Sequence, residues 1–159
     1  MAATGEDWRT TMRRLARSVR PARVLCLGDE AFDVLSETAL PLLRMDAEEV
    51  LHPPDGLERF DLAVVAGLLE RVTRPKGSAV VARLRDVQAR RLMVKVALAN
   101  DPGEGWTRTE MLGLGLREVL RVRAPDQPLG LYQFNVYDYK LTPDWFNARN
   151  WAHPHLWKP

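Results

Sequence analysis

Cysteine is nearly missing from this chain. Cys26 stands alone among 159 residues, so no internal disulfide can form. It lies in the apolar run Val24-Leu25-Cys26-Leu27, where a small buried side chain is the simplest reading. Histidine is scarce as well. His153-Pro154-His155 cannot follow the i, i+4 spacing of a zinc-binding helix, and His52 is remote in sequence, so no metal site is expected. No uninterrupted apolar stretch reaches the ~18 residues that cross a bilayer. Met12-Arg13-Arg14-Leu15 breaks any secretory apolar segment near the start with charge. A cytoplasmic chain with no membrane partner is therefore expected. A large charge of one sign is also lacking. The net charge is +2, so no global field demands a polyanionic partner, although the cations are 19 arginines against 4 lysines.

What is present reads as one globular domain over residues 1–159. Hydrophobic residues make up 46% and charged residues 28%, enough apolar surface for one core and too much for wholesale disorder. Residues 1–21 hold an amphipathic helix from about Asp7 to Val19. Trp8, Met12, Leu15 and Val19 share one face and Arg9, Arg13, Arg17 and Arg20 the other, until Pro21 stops it. Arg23 to Gly28 and Phe60 to Gly67 are apolar runs ended by glycine, as expected of strands buried on both faces. Between them lie a short helix over 31–40, a strand at Leu42 to Met45 ending at Asp46, and a loop at His52 to Gly56. Thr73-Arg74-Pro75 opens a helix whose apolar face is Val80, Val81, Leu84 and Val87. Arg91 to Leu98 is a strand. Thr107-Arg108-Thr109-Glu110 is a capping box opening a short helix that ends at Gly113 or Gly115. Glu118 to Val122 and Leu131 to Tyr139 are strands joined through the Pro125 to Gly130 turn region, the second pairing back as a hairpin.

Strands alternating with helices indicate an α/β fold with a parallel sheet, and the closing hairpin adds an antiparallel strand. This order resembles the class I S-adenosylmethionine-dependent methyltransferase superfamily, which implies a Rossmann-like, mostly parallel sheet. Three passages carry the resemblance: Arg59 through Val72, similar to that family's fourth strand and following turn; Trp106 through Val119, similar to its last helix and sixth strand; and Arg23 to Gly28 in the place of its first strand. It spans roughly residues 23–138 and implies a truncated member, one strand–helix unit short between Asp46 and Phe60. The close of the chain, Tyr139 to Asn147 followed by Trp151-Ala152-His153-Pro154, is similar to small bacterial proteins of unknown function.

The resemblance places an S-adenosylmethionine site on Gly28, Asp29, Asp46 and the Ala66-Gly67-Leu68 turn. That site is degenerate. The family pattern Asp/Glu-x-Gly-x-Gly-x-Gly falls on Cys26-Leu27-Gly28-Asp29-Glu30-Ala31-Phe32, where Cys26 replaces the first acid and Glu30 and Phe32 replace the second and third glycines. A left-handed backbone at Glu30 would cost roughly 1–2 kcal/mol. Its carboxylate at ~4 Å from the donor's own would repel by about 1 kcal/mol in water. Asp46 has two readings, a ribose acceptor after the second strand or a helix cap ahead of Ala47-Glu48-Glu49. Glu70 reads as a surface helix acid rather than a catalytic one, and no Asn/Asp-Pro-Pro-Tyr step follows Val65. No catalytic residue is assigned.

Two further features bear on partners. The stripe Arg9, Arg13, Arg17 and Arg20 could track nucleic-acid phosphates or simply face solvent. The tail over 140–159 carries Trp145, Phe146, Trp151 and Trp157, too apolar to stand in water, and packs either on the domain or on a protein partner. Three functional readings stay open: a non-catalytic binding or scaffolding module, an active S-adenosylmethionine-dependent methyltransferase with a divergent loop, and an RNA- or phosphate-binding accessory protein.

Overall fold

The computed structural model describes residues 7–123 and 127–137. The chain runs α1 (Trp8–Val19), β1 (Val24–Leu27), α2 (Asp29–Ser36), β2 (Leu42–Arg44), α3 (Ala47–Leu51), β3 (Leu62–Ala66), α4 (Arg74–Arg83), β4 (Arg91–Ala97), α5 (Arg108–Gly113), β5 (Arg117–Val122) and β6 (Leu129–Asn135). The six strands form one sheet in the order β2-β1-β3-β4-β6-β5. β2, β1, β3 and β4 are parallel neighbours, and β6 runs antiparallel between β4 and β5. The sheet is thus the mostly parallel α/β arrangement with an antiparallel closing strand that the element order implied. The closing strand does more than pair back on β5, because it also lies along the whole of β4 from Arg91↔Asn135 to Ala97↔Leu129. Between β2 and β3 the described chain forms only the five-residue α3, consistent with the short connection expected there.

Alternation along the strands divides the core into two layers. Leu25, Leu27, Ala63, Val65, Leu92 and Val94 face α3, α4 and α5. Val24, Cys26, Leu62, Val64, Ala66 and Met93 face α1 and α2. β1 and β3 are buried along their whole length, which explains their unbroken apolar runs. Helix α1 buries Trp8, Met12 and Ala16, so the predicted stripe is displaced slightly and Leu15 is only partly covered. Its start is fixed by Asp7, which accepts from the Arg9 amide at 3.2 Å.

Two helices differ from expectation in ways that matter. α2 begins at Asp29 rather than Ala31, directly after Gly28, and ends at Ser36. After α4 the chain passes into a π-helical turn, Leu84–Gln88. The extra residue in that turn rotates Val87 outward to 54% exposure and buries Gln88 instead, whose side-chain amide donates to the Val50 carbonyl at 2.8 Å. The Val87 position therefore leaves the apolar face. The capping box at α5 forms as expected. Thr107 Oγ1 accepts from the Glu110 amide at 3.2 Å, and Glu110 Oε2 accepts from the Thr107 amide at 2.8 Å.

Gly28 is the tightest joint. Its backbone sits at φ 90, ψ 151, a region closed to other residues, and a Cβ there would lie 2.1 Å from the Ala66 carbonyl oxygen. Gly56 has a similar φ of 77 with nothing within 4 Å of its missing Cβ. Comparing the two separates backbone strain from overlap. Gly56→Ala should cost only the left-handed penalty of roughly 1–2 kcal/mol. Gly28→Ala should add roughly 1–3 kcal/mol of overpacking to a comparable strain. Urea unfolding of both variants checks this, and equal losses would refute the close-approach account.

Candidate functional site

A parallel sheet opens a ligand crevice where successive strands depart in opposite directions from a common neighbour. Here that point lies beyond the carboxyl ends of β1 and β3, since β1 leads outward to β2 and the chain then returns across it to β3. A cleft of about 320 Å³ occupies the place. Cys26, Gly28 and Asp29 form one wall, Arg44, Met45, Asp46 and Glu49 the second, and Gly67, Leu68 and Arg71 the third. Five of the six residues singled out by sequence line it together. Ala66 does not, because its carbonyl is turned against Gly28.

Glu30, which falls where the resembled pattern has its second glycine, stands in a place the sequence reading did not foresee. Glu30 lies within α2, so it has no left-handed backbone and incurs no such strain. Nor does its carboxylate line the cleft. It packs over Gly67, where a Cβ would come within 3.0 Å of the Glu30 Cγ, and accepts from Lys95 Nζ at 2.7 Å. Lys95 is buried at 7% exposure on β4 and also lies 4.9 Å from the centre of the Trp8 ring. The expected repulsion at Glu30 is therefore answered by a cation brought in from the sheet. Phe32 is partly buried beside the α1–α2 core under the Arg44 guanidinium, 4.4 Å away, and does not plug the cleft.

Asp29 takes the position next to the ligand space instead. Its Oδ1 accepts from Arg44 at 3.1 Å and its Oδ2 from Arg71 at 3.1 Å, so one carboxylate ties β2 to the turn after β3 across the cleft. Neither arginine was singled out from sequence. Arg44 ends a short strand and Arg71 lies in a turn, positions whose side chains no local pattern constrains. Asp46 lines the cleft and also caps α3, its Oδ1 accepting from the Glu49 amide at 2.8 Å. The cap reading of that residue is the one its hydrogen bond shows. Glu70 is not on a helix but in the turn after β3, where it accepts from the Ala97 amide at 2.9 Å. It borders a second cleft of about 380 Å³ with Arg74 and Trp106.

The arginine stripe of α1 is divided. Arg13 donates from Nε to the Val34 carbonyl at 3.0 Å and pairs with Glu37 at 3.1 Å, joining α1 to α2. Arg9 lies over Trp8, while Arg17 and Arg20 are exposed. Among the described residues no group of three or more His, Cys, Asp or Glu is placed to hold a metal ion, and no helix is long and apolar enough to cross a membrane. The tail over 140–159, with His153 and His155, lies outside the described residues.

Residues 6–159 match a family of unknown function, DUF6231. The chain belongs to the DUF6231 family. No curated protein matches it. The DUF6231 chain is similar in structure to the Burkholderia thailandensis 1,6-didemethyltoxoflavin-N1-methyltransferase with bound 1,6-didemethyltoxoflavin and S-adenosylhomocysteine, at TM-score 0.55 and 17% identity, covering 83% of this chain and 80% of that one. It is similar to the methyltransferase domain of bacterial CtHen1 at TM-score 0.52 and 14% identity, covering 80% and 96%. It is also similar to TehB from Haemophilus influenzae at TM-score 0.53 and 10% identity, covering 82% and 62%. Likeness at such identities shows that the DUF6231 chain has the methyltransferase fold.

Cys26 gives this wall of the cleft a checkable property. Burial pushes its thiol up to about 12, against a smaller opposing pull from the Arg44 guanidinium. Burial also pushes the Tyr132 hydroxyl up to about 12, with Glu118 beside it acting in the same direction. Both groups hold their protons in the folded chain after the unfolded chain has lost them. Stability should therefore fall as pH rises from about 9, the ordinary thiol value, toward 12. Cys26→Ala should flatten that decline, and the folded thiol should resist alkylation at pH 8–9. Rapid modification of the native thiol there would contradict the assigned burial.

Proposed function

We propose that this chain is a non-catalytic protein of methyltransferase fold, a binding or scaffolding module whose old crevice does not hold S-adenosylmethionine. The observation that carries the reading is Asp29. Its carboxylate sits in the first turn of α2, where a helix N-terminus favours negative charge, and both its oxygens are already taken by Arg44 and Arg71. With Asp46 and Glu49 beside it, the cleft lining carries three carboxylates against the two arginines, so a donor carboxylate meets a net negative surface.

Magnitudes support the exclusion only in sum. The Asp29 pairs are more than half exposed, so each contributes at most about 1 kcal/mol. Like-charge repulsion at ~4 Å adds about 1 kcal/mol in water. Cys26 stands where the family pattern has an acid, removing an acceptor whose charged hydrogen bond contributes about 1.5–3 kcal/mol. Together these terms weaken a micromolar site by roughly two to four decades. In this reading the aromatic tail, residues 140–159, engages the protein partner.

One observation favours the rival reading, an active methyltransferase with a divergent loop. Gly28, Asp29, Asp46, Gly67 and Leu68 do share a single open cleft, and its volume of about 320 Å³ is at the lower end of what small ligands occupy. A thermal melt decides between the two. A ligand at about 100 times its dissociation constant stabilises a fold by about 2.7 kcal/mol, several degrees for a chain of this size. Millimolar S-adenosylmethionine or S-adenosylhomocysteine should leave the melting temperature within about 1 °C of the free value. A rise of several degrees overturns the non-catalytic reading.

A further inference from the structure

The opposite end of the sheet carries a groove that the methyltransferase comparison leaves unassigned. Two hollows of about 250 and about 190 Å³ meet there, sharing Val19 and Arg91. They lie at the amino ends of β3 and β4, where the outgoing end of antiparallel β6 also arrives, with Asn135 opposite Arg91. The flank of α1 closes one side through Leu15, Ser18 and Val19.

The larger hollow is basic. Arg20, Arg90 and Arg91 line it against one acid, Asp61. That acid is engaged inward, since its Oδ2 accepts from the amides of Ala22 at 2.8 Å and Arg23 at 3.2 Å. Arg90 approaches its other oxygen only at 4.0 Å and stays half exposed. Arg20 is presented by a break in the backbone: α1 ends there in a left-handed cap at φ 50, and Pro21 turns the chain away. Arg17, one turn earlier on α1, is exposed.

Two further observations give the surface a specific chemistry. Arg91 Nε is buried and has no hydrogen-bond partner among the described residues. A buried donor without an acceptor is destabilising, and a ligand oxygen placed there would relieve it. Beside it stands Tyr137, a large aromatic left 64% exposed, with the Arg91 guanidinium 5.8 Å from the ring centre. The Tyr137 amide donates to Asn135 Oδ1 at 3.0 Å, which fixes the turn that holds the ring at the rim.

Cations that track a phosphate chain, together with an aromatic face open to a planar group, are the requirements for holding single-stranded nucleic acid. The geometry points to a single-strand nucleic-acid groove at the amino end of the sheet. Arg20 and Arg90 bind phosphates, Arg91 Nε donates to a phosphate or base oxygen, and a base stacks on Tyr137. The polar and apolar wall beyond, with Ser18, Gln133, Met93 and Phe134, receives the next nucleotide. This assignment differs from a phosphate track along the whole α1 stripe. It drops Arg13, which is engaged with α2, and Arg9, which lies over Trp8. It does not depend on the crevice at the other end.

Fluorescence anisotropy of the full chain with a labelled oligouridylate or oligothymidylate of about 12 nucleotides tests it. Affinity should fall between about 50 and about 200 mM salt with a log–log slope near −2, as expected for about three phosphate contacts on a single strand. Arg20→Gln and Arg90→Gln should each flatten that slope by about 0.7. Tyr137→Ala should weaken binding roughly tenfold at fixed salt and leave the slope intact, because stacking releases no counterions. Arg9→Gln, which lies outside the groove, should change neither. Absence of saturable binding at about 50 mM salt overturns the assignment. So do an unchanged slope in both arginine variants, a Tyr137→Ala variant that binds as the parent, or equal binding of duplex or polyglutamate.

Discussion

The contact between Gly28 and the Ala66 carbonyl sets the geometry of the carboxyl end of the sheet. With no Cβ at residue 28, the turn after β1 lies directly on the end of β3, and a side chain there would overlap main chain that cannot move. Because the turn is this short, α2 starts at the next residue. Its helical phase then distributes the following side chains. Asp29 faces the cleft and meets Arg44 and Arg71, Glu30 passes over Gly67 to Lys95, and Ala31 enters the core. Glycine at this position therefore serves packing whether or not a ligand ever approaches it.

The consequence is a carboxyl end of the sheet at which several charges answer one another. Asp29 joins two arginines, Glu30 neutralises buried Lys95, and Glu48 pairs with Lys76 between α3 and α4. Further along the same end, Glu110 completes the α5 cap and accepts from Arg74 at 2.6 Å, while Arg74 lies over the Trp106 ring. Buried Lys95 explains why Glu30 is needed: a desolvated ammonium is strongly unfavourable without an anion, and neither α1 nor the strand beside it supplies one. An acid in a glycine's place thus supports the fold.

How much of this was legible in the sequence depends on whether the signal is local. Apolar runs closed by glycine located β1 and β3, and the Thr107–Glu110 spacing located α5, because each element's cause lies within its own few residues. The two-residue error at the start of α2 came from reading Gly28-Asp29-Glu30 as a ligand loop, when Asp29 and Glu30 are good first-turn helix residues. Val87 was misplaced because periodicity assumes 3.6 residues per turn and the chain changes to a wider turn at Leu84. Arg44 and Arg71 could not be found, since their pairing with Asp29 joins positions 15 and 42 residues apart. Lys95 did leave a trace: after Arg91 at the start of the strand it is the one charge in β4, among Leu92, Met93, Val94 and Val96, which are all buried.

Ligand affinity comes from groups that gain more from the ligand than they already have from the protein. By that criterion the two ends of the sheet are unequal. At the carboxyl end Asp29 already holds one nitrogen each of Arg44 and Arg71, and one oxygen of Asp46 already accepts from the Glu49 amide. At the amino end Asp61 is turned toward the backbone, Arg20 and Arg90 keep their charge near the surface, and the Arg91 Nε donor is buried with no acceptor among the described residues. The net charge of +2 conceals the local excess of cations at the amino end, where Arg20, Arg90 and Arg91 face one acid. In the proposed reading the unmet electrostatic demand of this fold lies at the amino ends of the strands rather than at the crevice beyond their carboxyl ends.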